Sequence, residues 1–231
     1  MAQKINPLSF RLGQFQVWKS FIQFYGKSFN QYTFIFHKYF QIQYLLIKLF
    51  LKSGLILDYQ ESKISKNRVF FNLYYFKTPR SKKIIDKTFF QKISKIIKRW
   101  FWMEAIIYFY FKPKVKSTTS LIIFFTKHLL VQNITTKRIL WSLCKLLEIH
   151  LNSKKISSFK NGFMEVSLKG FRICLSGRID GSKNQMAKSM EQSIGSLSLN
   201  SIHNYIEYKS ERIYTKSGLC GLQIWLFYEI I

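Results

Sequence analysis

The first half of the chain places apolar residues at the spacing of helices. Between residues 36 and 51 they recur at steps of four and three, which predicts a helix with one apolar face that Gly54 can terminate. This stripe consists of Phe36, Phe40, Tyr44, Ile47 and Leu51. A second helix is predicted from a similar stripe, formed by Ile85, Phe89, Ile93, Ile96 and Trp100. Its other side carries Lys83, Lys87, Lys92, Lys95 and Lys98, a pattern that fits either a solvated face or one that contacts RNA.

Three short apolar runs around these helices predict strands. Residues 55–59 and 68–76 are separated by a polar, Lys-rich turn, and residues 105–111 follow the second helix. The run at 68–76 is apolar at successive positions, so we expect it to be buried on both faces. Together with the helices, these runs predict one helix-and-sheet domain over residues 31–112.

The second half of the chain changes from helical to strand periodicity. After a predicted linker at 112–117, helices are expected from Thr119 or Ser120 to residue 131 and from Thr135 or Thr136 through His150. From Gly162 onward the apolar period becomes two, most clearly at 171–176, 202–209 and 222–227. Residues 113–231 are therefore predicted to form two helices and an antiparallel sheet, and the whole chain is α+β.

The charge of the chain indicates what kind of partner it binds. The chain has 37 Lys and Arg against 11 Asp and Glu, a formal net charge of +26, and no acid precedes Asp58. Such an excess of cations favours a polyanionic partner. Residues 1–30, broken by Pro7, Gly13 and Gly26, are predicted to be an irregular basic arm that lies along nucleic acid phosphates.

Metal, disulfide and membrane chemistry are not indicated. The three cysteines and four histidines are scattered without ligand spacing, so neither a metal nor another cofactor is expected. Each apolar run is interrupted by charge before reaching the roughly 20 residues of a membrane span. A basic membrane-surface protein is a further alternative, but the apolar stripes are expected to be used within the two domains.

Both ends of the chain carry motifs of a known family. Residues 1–7 (MAQKINP) and 10–13 (FRLG), with Trp18 shortly after, resemble the amino-terminal arm of the S-three family of small-subunit ribosomal proteins. The other end resembles that family's carboxy-terminal domain through GFRI at 170–173, SGRIDG at 176–181, IEY at 206–208 and GLCGLQIW at 218–225. The intervening part agrees only in the order of helices and strands.

The resemblance implies a degenerate KH-like domain of type II at 31–112. In the family this domain clamps the nucleic acid backbone with a Gly-x-x-Gly loop. Residues 77–83 (KTPRSKK) occupy the place of that loop and contain no glycine, so the fold is expected without its standard clamp. The string GLCG at 218–221 matches the loop pattern but precedes a strand and has no cation, which favours a turn.

The resemblance also implies RNA contacts. Predicted rRNA-binding residues are Lys4, Arg11, Lys19, Arg172, Arg178 and Lys183. In the family, basic residues of the helix before the last sheet line the path by which mRNA enters and help to unwind it. Here that helix offers Lys137, Arg138 and Lys145, fewer than the bacterial pattern, so strong unwinding is in doubt.

The implied function is that of a non-enzymatic constituent of the small ribosomal subunit. Its expected partners are small-subunit rRNA, neighbouring proteins of the head and mRNA at its entrance, with no membrane. A stand-alone organellar RNA-processing or intron-splicing factor is the main alternative, and an enzyme is disfavoured because no catalytic constellation is visible. The richness in Phe, Tyr, Ile and Lys and the absence of a presequence before the arm predict a mitochondrial ribosome, with a plastid as the alternative.

Overall fold

The computed structural model of the chain describes residues 5–18, 20–21, 29–64, 68–77, 87–101, 104–111, 118–131, 134–178, 186–215 and 218–231. The backbone divides into two compact units. One is formed by residues 19–115 and the other by residues 1–18 together with 116–231. We describe each unit by itself.

The unit at 19–115 contains a four-stranded mixed sheet and two helices. Its elements are β1 (Ser20–Phe21), α2 (Phe29–Lys52), β2 (Leu55–Ile64), β3 (Arg68–Lys77), α3 (Lys87–Trp100) and β4 (Glu104–Phe111). The strands lie in the order β1-β2-β3-β4; β2 and β3 are antiparallel, whereas β4 runs parallel to β3. Both predicted helices and all three predicted strands of this region are present. The KH-like identity of the unit stays a prediction, and residues 78–83 of the altered loop lie outside the described residues.

The core of this unit lies on one face of its sheet. Alternate residues of β3, among them Val69, Phe71 and Leu73, are buried against apolar side chains of both helices. The residues between them are only half-buried, so the expectation that this strand is buried on both faces is wrong.

The two helices of this unit are joined by a hydrogen bond. At the end of α3, the Trp100 carbonyl accepts a hydrogen bond of 2.8 Å from Lys38 Nζ of α2.

Helix α2 buries a different face from the predicted one. The core contains Ile35, Tyr39, Ile42, Leu46 and Phe50. In the predicted stripe, Phe36 packs partly against the core, whereas the other four residues are 46% to 63% exposed. The helix ends as expected: Gly54 has a φ of 76° and donates its N–H to the Leu51 carbonyl at 3.1 Å. The premise that all apolar stripes are used within the fold therefore does not hold for α2.

The unit at 1–18 and 116–231 packs helices on an antiparallel sheet. Its elements are α1 (Pro7–Arg11), α4 (Thr119–Val131), α5 (Thr136–Ile149), β5 (Lys154–Phe159), β6 (Gly162–Gly177), β7 (Lys188–Gly195), β8 (Tyr205–Thr215) and β9 (Gly218–Ile230). The strand order is β5-β6-β9-β8, and β7 pairs with the second half of β6. This is the predicted arrangement of two helices and an antiparallel sheet, with β5 and β7 as additional strands.

The core of this second unit joins α5 to the centre of the sheet. Leu143 and Leu147 of α5 are fully buried, and they belong to one apolar cluster with Phe171 and Ile173 of β6 and Ile224 of β9. The apolar face of this helix therefore meets the sheet. Its cations are left on the outer side.

The prediction of a loose arm is wrong for residues 5–18. They belong to the unit of the carboxy-terminal sheet and begin with a short capped helix, where Asn6 Oδ1 accepts the Leu8 N–H at 3.0 Å and Pro7 occupies the first turn. Gln16 Nε2 donates to the Ile206 carbonyl on β8 at 3.0 Å. Since the segment makes buried contacts with the sheet, it cannot lie along RNA as a free tail. The predicted linker at 112–117 lies outside the described residues.

Within the described ranges, none of the helices has the length and apolar character needed to cross a membrane. The side chains placed by the structure also include no group of three or more His, Cys, Asp or Glu that could hold a metal ion.

Candidate nucleic-acid interface

Arg11 is the predicted RNA-binding residue whose position requires a correction. Its side chain is 0% exposed, and burial lowers the pKa of its guanidinium. It donates to the carbonyls of Pro7 at 2.9 Å, Asn204 at 3.1 Å, Leu199 at 2.7 Å and Ser201 at 2.5 Å. Four backbone acceptors engage four of the five guanidinium N–H donors, so Arg11 holds the amino-terminal segment on the loop before β8 and does not present its charge to RNA.

Arg172 lies on the outer face of the carboxy-terminal sheet. It is half-buried, forms an ion pair with Glu191 of β7, and places its guanidinium carbon 5.3 Å from the ring centre of Trp225. Tyr208 continues this row across β8, with its ring 5.2 Å from that of Trp225. The row fixes the Arg172 side chain, and RNA contact by this residue stays a prediction.

Of the other predicted rRNA-binding residues, Arg178 lies at the end of β6 and three lie outside the described residues. Arg178 follows the last residue of β6 and is half-exposed. Gly177, directly before it, has a φ of 144°, a conformation that residues with a side chain rarely adopt. Lys4, Lys19 and Lys183 fall outside the described residues, so RNA contact by these four side chains stays a prediction.

The cations predicted to meet mRNA are gathered on one side of α5. Lys137, Arg138 and Lys145 are all exposed, and the helix carries them because its opposite side is buried in the core. Trp141 lies among them and is 61% exposed. Lys145 Nζ stands 5.0 Å from its ring centre, within the range of a cation–π contact.

A groove runs between this side of α5 and the edge strand β7. The helix contributes Lys137, Arg138, Leu140 and Trp141, and the strand contributes Met190, Glu191 and Gln192. Gln192 Oε1 lies 2.9 Å from Cys144 Sγ, which connects the strand to the helix below the groove. Burial first, and Glu148 second, raise the pKa of the Cys144 thiol, which favours the neutral thiol as the donor of this contact.

Three acidic side chains of this unit form ion pairs with cations of the same unit. Glu191 pairs with Arg172, Glu207 with Lys155, and Glu211 with Lys127. Lys155 Nζ also lies beside the adjacent rings of Tyr205 and Tyr228, at 5.7 and 5.4 Å from their centres. On α5 itself the three exposed cations stand against one exposed acid, Glu148, so positive charge prevails on this helix.

The GLCG string at 218–221 forms the first four residues of β9 and is paired to β8. The string is therefore part of the last strand, and the expectation of a turn before that strand is wrong for these four residues. Sequence reasoning missed Trp141, although its position is readable: Arg138, Trp141 and Lys145 follow steps of three and four, which places them on one helix face. Glu191 and the groove could not be found, because the polar strand β7 was not predicted.

Comparison with known proteins agrees with this fold. Residues 152–226 match the family described as "Ribosomal protein S3, C-terminal domain". The chain is 42% identical to the small ribosomal subunit protein uS3m of Chondrus crispus over 99% of its own length and 94% of the relative's. It is also 26% identical to uS3 of Borrelia duttonii (strain Ly) and 25% identical to uS3 of Dictyoglomus turgidum, over 98% of this chain and 75% and 83% of those proteins. The chain therefore belongs to the uS3 family of small ribosomal subunit proteins.

Proposed function

We propose that the chain is a structural constituent of the mitochondrial small ribosomal subunit, that it binds small-subunit rRNA in the head, and that α5 faces mRNA where it enters. Membership of a ribosomal protein family makes it a structural protein and not an enzyme. The mitochondrial part of the proposal is supported by the 42% identity to a protein named uS3m.

The observation that carries the RNA-binding proposal is the exposed cationic side of α5. The side chains of Lys137, Arg138 and Lys145 are all exposed on the same side of this helix. Cations on one side of a helix neutralise RNA phosphates, and the counterions of those phosphates are released. This release favours RNA binding and makes its affinity depend on salt. The net charge of +26 shows that this surface is one part of a larger excess.

A salt titration tests the proposal. We expect the full chain to bind small-subunit rRNA with an affinity that falls as salt rises, with a slope of about 0.7 to 0.9 per phosphate contact on logarithmic axes. Replacing Lys137 and Arg138 together with alanine should lower that slope by about 1.5 if both contact phosphates. The control Lys160→Ala with Arg212→Ala removes the same charge from exposed positions off α5. An rRNA affinity of the unaltered chain that does not respond to salt contradicts the proposal.

The role at the mRNA entrance has its own test. Subunits that carry Lys137→Ala and Arg138→Ala should translate structured messages less well than subunits with the control pair, and unstructured messages equally well. Equal translation of structured messages by both would exclude a function of these two cations in unwinding. The rival RNA-processing function is separated by sedimentation, because only a ribosomal constituent follows the small subunit through a gradient.

A further inference from the structure

Trp141 is an unusual residue for the outer side of a helix. Large aromatic side chains normally bury most of their surface, because this removes a large apolar area from water. Trp141 keeps 61% of its surface exposed, while its neighbours Leu140 and Leu143 on the same helix are buried. The fold therefore does not use this ring for its core.

The surroundings of the ring fit a nucleic acid. Lys145 stands 5.0 Å from the ring centre, and Lys137 and Arg138 line the same groove. Glu191, the acid of this groove, is already paired with Arg172. Leu140 and Met190 add apolar surface beside the ring. An aromatic ring with cations around it is the arrangement that stacks a base while holding the phosphates on either side.

We infer that Trp141 is a stacking platform for one base of single-stranded RNA in the groove between α5 and β7. The inference rests on the proposed function and adds that the RNA bound at this groove is unpaired. Bases inside a duplex are covered by their neighbours, whereas an unpaired base can lie on the ring. Lys137 and Arg138 bind phosphates of the same strand, and they do not discriminate among sequences. The groove thereby favours unpaired RNA over paired RNA.

Affinity for two RNA forms tests this inference with the full chain. The probes are a single strand of about 10 nucleotides, within the site sizes of such platforms, and a duplex of the same length. Trp141→Ala should weaken binding of the single strand about 5- to 100-fold, the usual effect of losing one base–aromatic stack, and leave duplex binding unchanged. Trp141→Phe should restore most of the affinity. Ile149→Ala, which removes an apolar side chain that is 76% exposed on the same helix, is the control and should change neither.

The dependence on salt separates stacking from charge. Because Trp141 touches no phosphate, the Trp141→Ala protein should keep the salt slope of the unaltered chain, whereas Lys137→Ala with Arg138→Ala lowers it. Equal affinity of the Trp141→Ala and unaltered proteins for the single strand would overturn the inference, as would an equal loss on the duplex. A photoreactive residue, Trp141→p-benzoylphenylalanine, should cross-link to RNA in assembled subunits, and cross-linking to a polypeptide would overturn it too. Failure of the proposed function looks different, since the unaltered chain would then show no salt-dependent binding to either RNA.

Discussion

Replacing Arg11 with alanine is expected to lower the free energy of unfolding by about 3 to 5 kcal/mol. The guanidinium is fully buried and supplies hydrogen bonds to four backbone carbonyls, which belong to Pro7, Leu199, Ser201 and Asn204. Without it, the Pro7 carbonyl loses its donor in a buried position and the other three carbonyls lose theirs in partly buried ones. Buried acceptors left unpaired each carry a desolvation cost, which makes the loss larger than that of an ordinary surface contact. Chemical denaturation of the full chain measures the effect.

The matched control for Arg11 is Arg212→Ala. Both changes remove one arginine from the same unit, but Arg212 is exposed on β8, so its loss should cost less than about 0.5 kcal/mol. Arg11→Lys should recover only part of the stability, because one ammonium group cannot reach all four carbonyls. The salt slope of rRNA binding should be the same for folded Arg11→Lys protein and the unaltered chain. Equal stability of the Arg11→Ala and Arg212→Ala proteins would contradict the buried role.

The second large effect is expected from Gly170→Ala, at about 3 kcal/mol or more of lost stability. A Cβ at this position would lie 2.2 Å from the carbonyl oxygen of Ser196 and 2.8 Å from its backbone nitrogen. Gly195 faces it across the β6–β7 pair, so two glycines let the strands approach closely. Because the obstacle is backbone, it cannot rotate away, and β7 would have to separate from β6. Thermal and chemical denaturation measure the loss.

Gly221→Ala is the control for this steric argument. Gly221 lies in β9 of the same sheet, and a Cβ there would meet Ser176 Oγ at 2.8 Å. A serine hydroxyl can rotate and gives up only a long hydrogen bond of 3.4 Å, so the change should cost less than about 1 kcal/mol. Similar destabilisation by both alanines would mean that strand spacing does not explain Gly170. Gly170 is the first residue of the GFRI motif, and it lets β7 approach β6 so that Glu191 lies beside Arg172.

Helix boundaries were predictable because local signals specify them. Gly54 ends α2, and the threonines at 135 and 136 precede and begin α5, as expected. The buried face of α5 was also predictable, since its apolar residues fall on one side and its cations on another. In α2 the same reasoning failed. That helix is apolar on two adjacent faces, and periodicity alone cannot decide which one meets the sheet.

The burial of Arg11 could not be predicted from its neighbours in sequence. Its segment is short, basic and broken by Pro7 and Gly13, features that locally resemble an extended tail. The acceptors that bury it include Leu199 and Asn204, which are 188 and 193 residues away along the chain. Such a contact depends on the tertiary fold. The same limit explains why strand β7 was missed: only Met190 and Ile194 mark its apolar side, and pairing with β6 specifies it.

The candidate site was predictable in its charges and not in its shape. Lys137, Arg138 and Lys145 could be assigned to one helix from sequence, and the structure places all three on its exposed side. The groove needs β7, and the pairing of Glu191 with Arg172 needs the register of β6 and β7. A cationic surface can therefore be proposed from composition, whereas the inference that it prefers unpaired RNA depends on the placement of Trp141.

Sedimentation of mitochondrial ribosomal subunits tests the central claim most directly. Small subunits are separated from free protein and membranes on a gradient at low salt, and this polypeptide is quantified in each fraction by mass spectrometry. We expect it in the small-subunit fraction, in equal amount to other proteins of that subunit. Small subunits that lack it, with most of the polypeptide in the free or membrane fraction, would contradict its assignment as a ribosomal constituent.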